Sequence, residues 1–385
     1  MFGLLLACLL AADQPATEIY ELDRETGVVS LLLSQIEQSP SQLFPMSYSP
    51  DGAKLLIGAG PTSRGVRWFY QTRVLVLDRA TGETDELGRG QSATWLDHDS
   101  VARHTFTAPG SVADPKRRAL YEHTLANGRV RRLADRHFSW TAFPGVLVPA
   151  TQSPLGVQPD PTAENRPMRR GFLYAQPAVT TGRDAELVPL PIEDGEYWSM
   201  ATLTSPLTLP AGTPRTGGRR IATLIARRMF FDEAGEFVNA NDGEPFTRGD
   251  IISVDVVAQG DDLFTCPAST RRVLPIPLES VGGIDAISSL RAVVQSGELI
   301  LCITPKHAVG GELADAGPMQ VVSTRADGRP LQRLLEVPAP LGDSVWIVAV
   351  PSDDGRFLAI GTSLISQQRP DGSLYEPHDL LPSRD

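Results

Sequence analysis

The chain has 385 residues, of which 41% are hydrophobic, and its 35 basic and 46 acidic side chains give a net charge of −11. The hydrophobic fraction is sufficient for a folded core, and the length allows two ordinary domains or one large all-β repeat domain. The acidic balance argues against binding to duplex DNA or RNA, because affinity for phosphate backbones comes mainly from lysine and arginine.

The first element is an apolar segment from Phe2 to Ala12, which Asp13 ends. This segment is too short to cross a bilayer as a helix, which takes roughly 20 residues. Its length fits the hydrophobic region of a secretory signal, so residues 1–12 are predicted to be a signal peptide and the protein to be exported to the periplasm or the cell exterior. No Lys or Arg precedes the segment, which leaves a lipid anchor at Cys8 or a buried segment as alternatives.

The next elements read as half of a repeat. A strand from Glu18 to Leu22 is followed by the turn Asp23-Arg24-Glu25-Thr26-Gly27 and a second strand from Val28 to Leu33. A complete unit follows, whose four short strands are Met46 to Ser49, Lys54 to Gly58, Arg73 to Leu77 and Glu83 to Leu87. Tight turns at Pro50-Asp51-Gly52 and Asp78 to Gly82 connect the first to the second strand and the third to the fourth. Four antiparallel strands joined in this way form one propeller blade.

The pattern recurs along the chain at a mean spacing of about 50 residues, which suits propeller blades with variable loops. Counterparts of the second strand begin near Leu55, Val101, Val146, Leu207, Leu263, Leu299 and Phe357. Counterparts of the third-to-fourth turn are Leu125 to Gly128, Asp232 to Gly235 and Arg325 to Gly328. The sequence therefore predicts a single all-β domain over residues 17–385, a seven-bladed β-propeller, with six or eight blades as alternatives.

The end of the chain reads as the missing half of the first repeat. Val345 to Val350 and Phe357 to Thr362 match a first and a second strand, and no clear third or fourth strand follows. Joined to the strands at Glu18 and Val28, they make one complete blade. Such sharing hides sheet edges that would otherwise favour aggregation, so we expect the N-terminal strands to complete the last blade and close the ring.

Ser49-Pro50-Asp51-Gly52 with its following apolar strand, and the Asp-x-x-Thr-Gly turns, resemble the WD-like propeller repeats of the TolB family. This resemblance implies an exported propeller that acts as a partner-binding module. Similar blades also form the gating domain of prolyl-oligopeptidase-like enzymes, but this sequence has no Gly-x-Ser-x-Gly nucleophile elbow and no following α/β domain. The motif specifies a fold more than a function, since propellers have many roles.

The long connections are predicted to lie on one face of the propeller. They join second to third strands, or one blade to the next, and comprise Ala59 to Tyr70, Thr107 to Arg117, Thr151 to Arg170, Ala211 to Gly218, Asn239 to Asp250 and Pro305 to Pro318. Long loops on a rigid scaffold are frequent binding sites. Arginines beside aromatics are enriched in binding hot spots, so Arg64, Arg67, Trp68 and Tyr70 are the candidate partner-binding residues. Alternatively, Trp68 and Tyr70 begin a strand and pack between blades.

No catalytic, cofactor-binding or metal-binding residues are predicted. The six histidines show no His-x-His or His-Glu-x-x-His spacing, and no glycine-rich phosphate loop is found. We therefore expect a non-catalytic binding module whose partner is a protein, a peptide or a cell-envelope component. The alternatives are a propeller enzyme with a metal or carboxylate site in the central channel, of the polysaccharide lyase or lactonase type, and a structural subunit of an envelope complex.

Two cysteines lie beyond the predicted signal segment. Cys266 and Cys302 are both assigned to second strands of neighbouring blades, where the distance between equivalent positions exceeds the roughly 7 Å that a disulfide allows between Cα atoms. The sequence therefore predicts two free, buried thiols.

Overall fold

The computed structural model describes residues 18–34, 41–61, 72–90, 92–106, 118–135, 140–143, 146–149, 172–175, 186–207, 218–232, 237–241, 245–259, 264–338, 341, 345–363 and 368–382. The described elements are β-strands and short 3₁₀ helices. Within these residues, no helix has the length and apolar character needed to traverse a bilayer. The predicted signal segment, residues 1–12, lies outside the described residues.

The first half of the chain supplies a hairpin and three sheets. The hairpin consists of β1 (Glu18–Asp23) and β2 (Val28–Leu33). Sheet 1 consists of β3 (Ser41–Tyr48), β4 (Lys54–Pro61), β5 (Arg73–Asp78) and β6 (Thr84–Arg89). Sheet 2 consists of β7 (Ser92–Trp95), β8 (Ser100–Phe106), β9 (Arg118–Thr124) and β10 (Arg129–Asp135). Sheet 3 consists of β11 (Trp140–Phe143), β12 (Val146–Pro149), β13 (Phe172–Ala175) and β14 (Glu186–Pro189).

The second half supplies two further sheets and the last two strands. Sheet 4 consists of β15 (Glu196–Thr204), β16 (Arg219–Phe230), β17 (Gly249–Ala258), β18 (Phe264–Thr265) and β19 (Arg272–Leu274), the last two pairing with β17. Sheet 5 consists of β20 (Ile287–Ala292), β21 (Glu298–Ile303), β24 (Gln320–Arg325) and β25 (Gln332–Glu336). The hairpin inserted into sheet 5 is β22 (Lys306–Val309) and β23 (Glu312–Asp315). The chain then forms β26 (Ile347–Pro351) and β27 (Phe357–Thr362).

The two ends of the chain share sheet 6, as the sequence predicts. Its strand order is β2-β1-β27-β26, and β1 pairs antiparallel with β27 from Glu18 opposite Thr362 to Asp23 opposite Phe357. The first strands of successive sheets (β3, β7, β11, β15, β20 and β26) contact one another in turn, and β26 contacts β3. The six sheets therefore form a closed ring, which is a β-propeller.

The hydrophobic core lies in layers between neighbouring sheets. Ile19 of sheet 6 packs with Leu43, Leu55 and Leu77 of sheet 1, and Leu56 and Val76 of sheet 1 pack with Val101 of sheet 2. Comparable layers join sheet 4 to sheet 5 and sheet 5 to sheet 6. Four described layers each draw on two sheets, and a fifth lies within sheet 4. The sheets that share layers depend on their neighbours to bury their apolar side chains.

The turn motifs have specific hydrogen bonds that explain their sequences. Asp23 Oδ1 accepts from the backbone N–H of Glu25 (2.9 Å) and Thr26 (3.3 Å). The Gly27 N–H, at a φ of 71°, donates to the Asp23 carbonyl at 2.7 Å. In the other motif, Ser49 Oγ donates to Asp51 Oδ1 at 2.6 Å and accepts from the Lys54 N–H at 2.9 Å. These bonds need a short acceptor at the start of each turn and a glycine where φ is positive.

Short first-to-second and third-to-fourth connections share one face, which we call the turn face. The Gln295 N–H in the β20–β21 turn donates to the Asp353 carbonyl in the β26–β27 turn, and the Ser205 N–H after β15 donates to the Val294 carbonyl after β20. In an antiparallel sheet, second-to-third connections lie at the opposite end. We call that end the loop face. It includes residues 231–248 between β16 and β17 and residues 304–319 between β21 and β24.

The described residues form six sheets of four or five strands, which matches the alternative of six blades and not the expected seven. Leu207 and Leu263 were assigned to two blades, but Leu207 follows β15 and Leu263 precedes β18, both within sheet 4. Because β16 and β17 are long, with 12 and 10 residues, the two positions are as far apart in sequence as the second strands of two successive blades.

Because sheet 4 replaces two predicted blades, the assignments of two connections also change. Ala211 to Gly218 falls in the β15–β16 connection, so it belongs to the turn face and not to the loop face. Asp232 to Gly235 falls in the β16–β17 connection and is not a third-to-fourth turn, whereas Leu125 to Gly128 and Arg325 to Gly328 are such turns.

The cysteine prediction is confirmed in its outcome and wrong in part of its reasoning. Cys266 and Cys302 are both free and buried. Cys302 lies on β21, a second strand, whereas Cys266 follows the outer strand β18. Burial raises the pKa of Cys302 to about 11, and burial with the nearby Asp255 carboxylate raises that of Cys266 to about 12. Both thiols therefore stay protonated and unreactive at neutral pH.

Candidate functional site

On the loop face over sheets 4 and 5, three connections contact one another through their described residues. They are residues 231–248, residues 275–286 between β19 and β20, and residues 304–319 with the β22–β23 hairpin. The Thr247 N–H of the first donates to Asp285 Oδ2 of the second at 2.6 Å. The Thr304 N–H of the third donates to the Ala286 carbonyl at 2.8 Å. This layer is therefore one continuous surface held by hydrogen bonds.

An aromatic group stands at the start of this layer. Phe231 directly follows β16, and its ring stacks on Phe237 with centroids 4.4 Å apart. Tyr197 of β15 meets the edge of both rings, at 5.6 Å from Phe231 and 6.4 Å from Phe237. Phe237 is 46% exposed, although packing around the other two rings fixes its position. Rigid aromatic side chains lose little entropy when they bind a partner, which suits a contact surface.

Arginines accompany the aromatic group. The guanidinium carbons of Arg228 and Arg248 lie 4.8 Å and 4.7 Å from the centroid of the Phe230 ring, at cation–π distance. Arg228 is buried, whereas Arg248 is exposed. We call Tyr197, Phe230, Phe231, Phe237, Arg228 and Arg248 the aromatic–arginine cluster.

A buried ion-pair network supports the cluster from below. Glu196, 3% exposed, accepts hydrogen bonds from Arg228 (2.8 Å), Arg271 (2.9 Å) and the Trp198 indole (3.1 Å). Arg228 also binds both carboxylate oxygens of Asp250, at 2.9 and 2.6 Å. Burial alone would lower the pKa of Arg228, but the Asp250 and Glu196 carboxylates raise it. Arg228 is therefore a permanent cation that ties β15, β16 and β17 together beneath the exposed rings.

Other large apolar side chains are exposed on the same face. Val309, the last residue of β22, is 54% exposed. Other exposed apolar side chains, such as Val28 and Val130, are on outer strands of their sheets. The loop face thus combines a fixed aromatic group, an exposed arginine and further apolar contacts. This chemistry suits contact with another surface.

The sequence-predicted site residues lie outside the described residues. Arg64, Arg67, Trp68 and Tyr70 fall within residues 62–71, which connect β4 to β5. They stay a prediction. The sequence analysis missed the aromatic–arginine cluster, although the run Arg227-Arg228-Met229-Phe230-Phe231 has the same mixture of arginine and aromatic residues. The sequence analysis assigned the following Asp232 to Gly235 to a third-to-fourth turn, whereas the run ends in the β16–β17 connection, which belongs to the loop face.

A metal site is not formed by the described residues, which contain no group of three or more His, Cys, Asp or Glu side chains able to hold an ion. The side chains of His104 and His137 are not among those described. His123 accepts a hydrogen bond from Arg103 at 3.0 Å, and burial, aided by the Arg103 charge, lowers its pKa to about 4. It is a structural, neutral imidazole.

No protein-family model and no curated protein sequence matches this chain. A putative TolB from Agrobacterium tumefaciens is similar, with a TM-score of 0.41 at 11% identity over 91% of this chain and 98% of that one. A prolyl endopeptidase has a TM-score of 0.44 at 14% identity over 93% of this chain and 52% of that one. An oligogalacturonate lyase from Vibrio parahaemolyticus has a TM-score of 0.41 at 10% identity, with coverages of 91% and 98%.

The strand order and the contacts between sheets define the fold without reference to these similarities. Four-stranded antiparallel sheets, arranged in chain order and closed by the two ends of the chain, are the defining features of a propeller. The protein is an all-β propeller, and its structural neighbours include TolB and other β-propeller proteins.

Proposed function

We propose that this protein is a non-catalytic binding module that engages its partner through the loop face. The single observation that supports this function most is Phe237, which is nearly half exposed yet held in place by stacking on Phe231 and by the edge of Tyr197. A large apolar ring that is both exposed and fixed is costly in water and favourable in an interface. The partner is a protein, a peptide or a cell-envelope component.

The charge around the cluster supports the same function. Arg248 is exposed and lies over the Phe230 ring, so it offers a cation with a fixed direction. Arg228 has its charge neutralised by Asp250 and Glu196 and serves as a support. A partner surface with an apolar patch beside an acidic or carbonyl group fits this arrangement.

The proposal also covers segments that lie outside the described residues. Residues 1–12 are proposed to be a signal peptide that directs export to the periplasm or the cell exterior, and residues 17–385 to form one propeller domain. Arg64, Arg67, Trp68 and Tyr70 are proposed as a second contact region, since the connection from β4 to β5 is of the loop-face type. No nucleic acid is expected as a partner, given the net charge of −11.

The test compares partner capture by three forms of the full chain. Wild type, Phe237→Ala and Val130→Ala are immobilised and exposed to a cell-envelope extract, and bound proteins are quantified by mass spectrometry. Val130 is a matched control, since it is 51% exposed but lies on the outer strand β10. A partner should bind wild type and Val130→Ala equally and should bind Phe237→Ala at least about tenfold more weakly, the loss typical of one hot-spot residue.

The affinity of each form for the purified partner then decides whether the aromatic–arginine cluster belongs to the interface. Equal binding by wild type and Phe237→Ala would remove this cluster from the interface. Trp68→Ala is the corresponding variant for residues 62–71. If it weakens binding while Phe237→Ala does not, the interface lies over sheet 1 instead of sheets 4 and 5.

A further inference from the structure

A cavity of about 430 Å³ lies between sheets 4 and 5, lined by the β20–β21 and β24–β25 turns of sheet 5 and by β19 and its neighbours in sheet 4. Its apolar walls include Leu207, Leu274 and Pro275. Arg272 of β19 and Arg325 at the end of β24 line it from two sides. The volume lies in the range of small-molecule sites, roughly 300–1,000 Å³.

The first arginine is anchored from behind. Asp255, 1% exposed, accepts hydrogen bonds from Arg272 (2.7 Å), Arg220 (3.0 Å) and Thr223 (3.1 Å). One carboxylate thus faces two guanidinium groups, and a positive charge is left over at the cavity wall. Because Asp255 is buried, the position of Arg272 is fixed before any ligand arrives.

The second arginine has no ion pair among the described residues. Arg325 lies opposite Glu298 in the strand register. However, both Glu298 oxygens accept hydrogen bonds from Arg24, at 3.0 and 2.8 Å. Asp327, also at the cavity, pairs with Arg329 at 3.2 Å. Arg325 is therefore an uncompensated cation at the cavity.

The charges around the cavity give a local positive excess, opposite in sign to the net charge of the whole chain. The charged residues that line the cavity, together with their ion-pair partners, are four arginines (Arg220, Arg272, Arg325 and Arg329) and two aspartates (Asp255 and Asp327). The whole chain carries a net charge of −11. A positive pocket in an acidic protein favours an anionic ligand, and guanidinium groups suit a planar carboxylate.

We propose that this cavity binds a carboxylate attached to a small apolar group. The carboxylate is held by Arg272 and Arg325, and the apolar group packs against Leu207, Leu274 and Pro275. The carboxylate comes either from a free organic acid or from the C-terminus of a peptide. The cavity shares no residue with the aromatic–arginine cluster, so the site does not depend on the function proposed for the loop face.

The binding test uses the purified full chain and N-acetyl-leucine, whose carboxylate and isobutyl group match the cavity. Saturation-transfer NMR should detect binding of N-acetyl-leucine and none of N-acetyl-leucinamide, which has the same shape without the charge. An equal signal from the amide, or no signal from the acid, would overturn the proposal.

Two variants locate the binding. Arg325→Gln should weaken N-acetyl-leucine binding at least about tenfold, since a charge-assisted hydrogen bond is lost. Arg333→Gln removes the same charge from the neighbouring strand β25, where Arg333 pairs with Glu336, and should leave binding unchanged. Both side chains are exposed, so thermal unfolding should confirm intact folds. Unchanged binding by Arg325→Gln would place the ligand elsewhere and refute the assignment.

A third comparison distinguishes the two sources of the carboxylate. Acetyl-Ala-Ala-Leu with a free C-terminus is compared with N-acetyl-leucine under the same conditions. Tighter binding of the peptide identifies a C-terminal peptide ligand, and tighter binding of the single acid identifies a small organic acid. Either result is compatible with the site, whereas failure of both ligands contradicts it.

Discussion

At the scale of single residues, the arginine that follows each turn aspartate links neighbouring blades. Arg79 of sheet 1 donates to Glu21 of sheet 6 at 2.7 Å and to the Gly52 carbonyl, while Tyr48 donates to Glu21 at 2.8 Å. Arg24 of sheet 6 makes the same kind of bond to the Gly355 carbonyl (2.9 Å) and pairs with Glu298 of sheet 5. The turn sequence Asp-Arg-x-Thr-Gly thus shapes a turn and also ties two sheets together.

Arg79→Gln should destabilise the protein, because it leaves the buried Glu21 carboxylate without its counter-ion. The Glu21 side chain is 9% exposed, and breaking a buried pair costs about 3 kcal/mol of unfolding free energy. Arg73→Gln is the control, since its partner Glu86 is 44% exposed and the loss should stay below about 0.5 kcal/mol. Urea denaturation of both variants measures the difference. Equal midpoints would show that Glu21 is solvated.

Asp353 should make the protein less stable as the pH rises. Burial, with the Asp354 charge beside it, raises the pKa of Asp353 from 3.8 to about 7. Between those two values the folded state holds a proton that the unfolded state releases, so stability falls with increasing pH across this window. Asp353→Asn removes the effect and should stabilise the protein at pH 8 by about 1–2 kcal/mol relative to its effect at pH 4.

The measurement is urea denaturation of wild type and Asp353→Asn at both pH values. Asp354→Asn serves as the comparison, because Asp354 Oδ1 accepts from Ser352 (2.6 Å) and the Arg356 N–H (3.0 Å), so its loss should destabilise the turn. A stability difference between wild type and Asp353→Asn that does not change with pH would show that Asp353 is charged throughout.

At the scale of elements, strands joined by turns with a recognisable motif were predictable from the sequence, and strands joined by other turns were not. The hairpin β1–β2 and the strands β26 and β27 were predicted from the sequence because their turns carry the Asp-x-x-Thr-Gly and Ser-x-Asp-Gly motifs. Sheet 4 was divided into two blades because its turns lack these motifs and its strands are twice the usual length. The pairing of Arg79 with Glu21 was unpredictable, since the two residues meet only after the ring has closed.

Removal of the β1–β2 hairpin should convert the protein from a monodisperse species into an aggregating one. A chain lacking residues 1–34 would expose the full edge of β27, whose partner strand is β1. A peptide of residues 17–34, added during refolding, should occupy that edge and restore a monodisperse peak. Size-exclusion chromatography with light scattering checks both results. A truncated chain that stays monodisperse without the peptide would contradict the closure of the ring by β1.

At the scale of the whole molecule, the described residues of the two faces differ in their connections and in their exposed side chains. The sequence predicted that long connections gather on one face, and the β16–β17 and β21–β24 connections do so, whereas Ala211 to Gly218 lies in the β15–β16 connection. It could not predict which side chains meet there, because Tyr197 belongs to β15 while Phe231 and Phe237 belong to the β16–β17 connection. The anionic-ligand cavity was likewise beyond sequence analysis, since Arg272 and Arg325 belong to different sheets.

Unfolding should be cooperative around the ring. Described core layers join sheets 4, 5, 6, 1 and 2 in succession around the ring, so the loss of a sheet within this series exposes apolar surface on its neighbours. Hydrogen exchange followed by mass spectrometry at increasing urea should therefore show peptides from β4, β16 and β21 losing protection at the same urea concentration. Separate midpoints for these three strands would show that sheets open independently.

The pairing of β1 with β27 also determines when the molecule can finish folding. The ribosome releases β1 and β2 first, but their sheet partners are the last strands to be made. Throughout synthesis, at roughly 5–20 residues per second, the hairpin has an unpaired edge that any other extended segment can occupy. Ring closure thus has to wait until β26 and β27 have been made, and a chaperone that shields β1 until then would improve the yield of this protein more than one that acts on its middle sheets.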